Sequence, residues 1–69
     1  MKTGTSFNPP INILVKSDDN ELTYQKTTKT KNGNEYSYIY TKSICFLGDV
    51  IVFSEKELEY QLSNNFKII

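Results

Sequence analysis

The 69-residue chain balances eight lysines against eight acidic residues, contains no arginine and no histidine, and has a formal net charge of zero. With no histidine and one cysteine, Cys–His and Ser–His–Asp nucleophiles and an internal disulfide are excluded, and no enzyme, metal or cofactor signature remains. A chain this short forms one small domain that buries only about 60% of its unfolded surface, so self-association, as a homodimer, is the expected compensation.

Residues 1–10 include Gly4, Ser6, Asn8, Pro9 and Pro10, which resist regular structure and read as a flexible arm leading into a single β-rich domain over residues 11–69. The arm has no apolar h-region, and no apolar run reaches membrane length. A reducing, cytoplasmic setting without membrane contact is therefore expected. Ile11, Ile13 and Val15 alternate with polar neighbours, the period of a strand with one buried face. Ser17-Asp18-Asp19-Asn20 follows as a turn.

Leu22 to Lys31 and Glu35 to Thr41 are rich in threonine and tyrosine, and Asn32-Gly33 between them is a strong hairpin signal, because both residues tolerate positive φ. The turn leaves two registers open. A two-residue Asn32-Gly33 turn pairs Lys29 with Tyr36 and puts Tyr36, Tyr38 and Tyr40 on a polar, exposed face. A three-residue loop with a bulge at Gly33 shifts the pairing by one and places the same rings with Leu22 and Tyr24 in the core.

Cys45 lies in the run Ile44-Cys45-Phe46-Leu47, where a free thiol packs as a small hydrophobe. Asp49 to Phe53 is nearly continuous in apolar residues and reads as a strand buried on both faces. Ser54 with Glu57 three residues later is a capping box, so a helix starts there, with Leu58 and Leu62 as a narrow apolar stripe. Asn64 and Asn65 end it, and Phe66 to Ile69 reads as a last strand. The fold class is mainly β, small α+β: a five-stranded small barrel or twisted antiparallel sheet with one short C-terminal helix.

Between residues 22 and 48, Lys26, Lys29, Lys31 and Lys42 face Glu35 alone, a local charge of +3. Lysines hold phosphates while aromatic faces stack bases, so Lys26, Lys29, Lys31, Tyr36, Tyr38, Tyr40 and Lys42 are the candidate nucleic-acid-binding residues of a small non-enzymatic regulatory module. The alternative is a protein-binding adaptor or inhibitor of the kind encoded by phages, viruses or plasmids, with tyrosines as contact residues. A third reading buries the tyrosines in a structural subunit, with lysines and threonines guarding a sheet edge.

The stretch from Lys31-Asn32-Gly33-Asn34 through Tyr38-Ile39-Tyr40-Thr41-Lys42-Ser43, and then Leu47-Gly48-Asp49-Val50-Ile51-Val52, resembles the AbrB/MazE-type swapped-hairpin DNA-binding proteins. That resemblance implies an intertwined homodimer that binds DNA as a transcription regulator or antitoxin, with Lys29, Lys31 and Lys42 toward the DNA. Thr41 stands where the family has proline, and the family's basic arginines are missing.

Overall fold

The computed structural model describes residues 7–69. Its elements are β1 (Asn12–Val15), β2 (Glu21–Thr30), β3 (Gly33–Lys42), β4 (Val50–Ser54), α1 (Glu55–Asn64) and β5 (Phe66–Ile68). The five strands form one unclosed antiparallel sheet in the order β4-β3-β2-β1-β5, so the sheet with one helix is realised and the barrel is not. The chain leaves the sheet at β4 on one edge and re-enters at β5 on the other, with α1 making the connection. Residues 1–6 of the expected arm lie outside the described residues. Phe7 packs edge-on against Tyr36, and the Pro10 carbonyl accepts a hydrogen bond from the Tyr38 hydroxyl at 2.6 Å.

Helix α1 begins where the sequence places it. The Ser54 side chain accepts from the Glu57 N–H at 3.2 Å, and Glu55 and Glu57 occupy the positive end of the helix dipole. Only half of the capping box forms, since the Glu57 carboxylate accepts from Gln61 instead. Asn65 is the C-cap, its N–H donating to the Gln61 carbonyl at 2.8 Å. Leu58, fully buried, is the residue that fastens α1 to the sheet, with Leu62 partly buried beside it.

The core lies between α1 and one sheet face and consists of Ile13, Leu22, Tyr36, Tyr38, Phe53, Leu58 and Phe66. Tyr24, Tyr38, Phe53 and Phe66 form a chain of edge-to-face ring pairs with centroids 5.7 to 5.9 Å apart, a geometry favoured by the ring quadrupoles. The hairpin reversal falls at Lys31-Asn32, one residue earlier than the sequence suggests, and Thr30 pairs with Gly33. Gly33 sits at φ +122°, which a side chain would strain, and the Thr30 hydroxyl donates to its carbonyl at 2.7 Å.

Which way the tyrosines face is decided further along. Thr27 pairs with Tyr36 and Lys26 with Ser37, but Tyr24 pairs with Tyr38, leaving Gln25 as an extra residue in a bulge. The bulge returns Leu22 and Tyr24 to the face that carries Tyr36, Tyr38 and Tyr40. The core register is therefore adopted, through an irregularity in β2 instead of one at Gly33.

Candidate interaction surface

The seven candidate nucleic-acid residues do not converge on one surface. Tyr36 and Tyr38 are buried, so neither ring is free to stack on a base, and Tyr40 is half-buried with its ring tilted over Phe46 at 5.4 Å. Lys26, opposite Ser37, lies on the face away from α1, whereas Lys29, opposite Asn34, lies on the face that bears Tyr36. Lys31 is in the turn. Lys42 pairs with Glu21 at 3.7 Å, an exposed contact that contributes little to stability.

Lys26 and Lys29 share a different feature: they sit on an open strand edge. Strand β1 pairs only with Glu21 to Thr23 of β2, so among the described residues the outer edge of β2 beyond Tyr24 has no partner strand, and it carries Lys26 and Lys29. The three-residue β5 closes the far side of the sheet with Lys67 at its centre. Charged lysines on open edges oppose pairing with other chains.

Strand β4, the remaining edge, has no such guard. Its sequence is Val-Ile-Val-Phe-Ser, without lysine, proline or bulge. Tyr40 N–H donates to the Asp49 carbonyl at 3.0 Å. By antiparallel alternation Ile51 and Phe53 then bond toward β3, while the N–H and C=O groups of Val50, Val52 and Ser54 point away from the sheet. The expectation that this strand is buried on both faces is corrected here. Phe53 is buried and Ile51 half-buried beneath α1, but Val50 and Val52 are 55% and 53% exposed. A single helix covers only one face of the sheet.

The uncovered face is divided. Near β1 and β2 it is polar, with the Thr23 hydroxyl bonded to Asn12 and to Thr41 at 3.0 Å each. Toward β4 it is apolar, with Ile39 beside Val50 and Ser37 beside Val52. The loop before β4 is apolar too, with its Phe46 ring against Tyr40 on the face that carries Tyr36 and Tyr38. Ile44 is fully exposed, Leu47 is 66% exposed, and Cys45, expected in the core, is exposed as well.

This loop is built, not slack. The Ser43 hydroxyl accepts from Phe46 N–H at 2.9 Å, Asp49 N–H donates to Phe46 at 2.8 Å, and Gly48 N–H donates to Tyr40 at 2.9 Å. Gly48 closes it at φ +88°. These bonds hold the loop backbone in place, while the side chains of Ile44, Cys45 and Leu47 are exposed. Two hollows, of about 430 Å³ between the hairpin turn and the start of α1 and about 410 Å³ between Asp18 and Ile44, are open to solvent and lined mainly by polar residues.

Comparison with protein-family models, curated proteins and solved structures finds no match. No helix among the described residues is long and apolar enough to cross a membrane. The sequence offered one signal for this surface: Ile44 to Leu47, enclosed by Ser43 and Gly48, is too short for an element of its own.

Proposed function

We propose that this protein is a small non-enzymatic protein-interaction module that joins polypeptide chains through the open edge of β4 and the apolar loop Ile44–Leu47. The reading is carried by one contrast: lysines guard the other open edges and leave β4, with Val50 and Val52, unguarded. Strand addition supplies main-chain hydrogen bonds for affinity and alternate side chains for specificity. The role suits an adaptor or inhibitor of the kind encoded by phages, viruses or plasmids, acting in the cytoplasm, where exposed Cys45 stays reduced.

The probe for this edge is a fluorescently labelled peptide of alternating valine and threonine, flanked by lysines to suit Asp49 and Glu55. Its anisotropy should rise on titration with dilute wild-type protein and stay flat with Val52→Pro. Because the Val52 N–H points away from β3, proline there removes the docking donor and spares the β3–β4 ladder. Equal titrations for the two proteins would discard the reading.

A second reading keeps nucleic acid as partner. It is supported by exposed Lys26, Lys29 and Lys31 on the hairpin, none of which forms an ion pair among the described residues, and by the AbrB/MazE-type resemblance. Here duplex DNA binding should weaken with a log–log salt slope of about −0.9 per phosphate neutralised, and Lys29→Glu with Lys31→Glu should abolish it. Binding insensitive to salt removes this option.

A further inference from the structure

The occupant of the β4 edge is named by the chain itself. We propose that two copies pair β4 to β4, antiparallel about a two-fold axis through Ile51, into one continuous ten-stranded sheet. The inference rests on the reading of β4 as a docking edge and adds the identity of what docks.

A two-fold axis perpendicular to the sheet keeps both helices on the same side, and it allows a residue of β4 to meet its own counterpart. Three registers pair outward groups of Val50, Val52 and Ser54 with one another, and the one centred on Phe53 sets Ile51 and Val50 against the first helical residues of the second copy, where no strand continues. Centred on Val52, the pairing places Asp49 directly across from Glu55 of the second copy, twice, and like charges directly opposite are destabilising. Centred on Ile51, it places Val50 across from Val52 of the second copy, twice, in hydrogen-bonded pairs, and moves Asp49 opposite Phe53. The charges at the two ends of β4 therefore select the Ile51 register.

That register also uses the loop. The turn Phe46–Asp49 precedes β4, so the loop of each chain, with exposed Ile44 and Leu47, lies at the end of the paired strands where the other's helix starts. The strand alone is five residues long, too little for a stable interface of about 1,200–2,000 Å², and the two loops extend the contact at both ends. The zero net charge removes long-range repulsion between copies.

The same features stop the assembly at two. Pairing consumes both β4 edges, and the edges left over carry Lys67 on β5 and Lys26 and Lys29 on β2. A closed dimer results, not a growing sheet.

The test is sedimentation equilibrium over a range of protein concentrations, with circular dichroism to verify folding. Wild type should reach the dimer mass, and Val52→Pro should stay folded while its dimer dissociation constant rises about 100-fold, from the loss of two of the four inter-chain hydrogen bonds. If Val52→Pro unfolds, Val52→Lys takes its place, since that side chain is exposed and tolerates the change in the monomer. A register arm uses Ile51→Cys in a Cys45→Ser background. The symmetric, non-hydrogen-bonded pair at the axis brings Cα atoms to about 4.5 Å, within disulfide range, so oxidation should yield a covalent dimer. A wild type that stays monomeric overturns the proposal, and so does a dimer unaffected by either Val52 change. If the monomeric wild type still binds the valine–threonine peptide, only self-pairing has failed; if it binds neither, the docking edge has failed with it.

Discussion

Replacing Tyr38 with alanine is expected to remove about a third or more of the chain's stability at 25 °C. Tyr38 is fully buried, meets Tyr24 and Phe53 edge-on at 5.7 and 5.9 Å, and donates its hydroxyl to the Pro10 carbonyl. Truncating a core aromatic to alanine costs about 3–5 kcal/mol. At about 0.05–0.15 kcal/mol per residue, a chain of this size has roughly 3–10 kcal/mol in total. Tyr38→Phe separates the two contributions. It keeps the ring contacts and removes only the bond that ties Pro10 to the sheet, for about 1 kcal/mol. Urea titrations with linear extrapolation measure both, and a Tyr38→Ala midpoint close to that of wild type would contradict the burial of this ring at the centre of the fold.

The same side chain gives a pH signature. Burial, and then the neighbouring Tyr24, push the Tyr38 hydroxyl well above the usual tyrosine value. The folded state thus holds the proton after the unfolded chain has begun to lose it. Stability from this group is fully present below the ordinary tyrosine value of about 10 and falls as pH rises past it, by up to about 1.4 kcal/mol per unit. Tyr38→Phe should be flatter over that alkaline range, at the expense of a lower plateau at neutral pH.

The order of elements was legible because its signals are local. Alternation at Ile11, Ile13 and Val15, a reversal next to Gly33, the Ser54 cap and the Asn65 stop each act within a few residues, and each element forms where they point. The register of the hairpin was not legible. It depends on a bulge at Gln25, and Gln25-Lys26-Thr27 contains no glycine or proline to mark one. The bulge is selected at long range, since only with it do Leu22, Tyr24, Tyr36 and Tyr38 share the face that α1 covers.

The exposure of β4 was misread for a related reason. Val50 to Phe53 is apolar on both faces, and in a larger protein that pattern belongs to a strand inside two layers. This chain has one helix to spend, which reaches one face, and β4 falls at the sheet's edge. Half of the run is therefore left uncovered. Ile44, Cys45 and Leu47 follow the same logic, as no layer among the described residues covers them. Tyr36 and Tyr38, singled out as contact residues, are instead part of the small core, and Tyr40 packs against it, because the bulge in β2 sets them on the face with Leu22 and Tyr24.

Leu58→Ala should lower stability by about 2–5 kcal/mol and carry the helix signal away with it. A free helix of ten residues is marginal in water, so α1 exists because it is docked, and Leu58 is its one fully covered side chain. Losing that contact uncovers Phe53 and Phe66 from above, which puts both ends of the chain's path, β4 and β5, at risk together. Tyr60, 62% exposed on the same helix, provides the control: Tyr60→Ala should change stability by less than about 0.5 kcal/mol. Urea midpoints followed by helix ellipticity distinguish the two variants. Equal midpoints would mean that α1 is held by its caps and not by the sheet, in which case Phe53 and Phe66 would have to be covered by some other group.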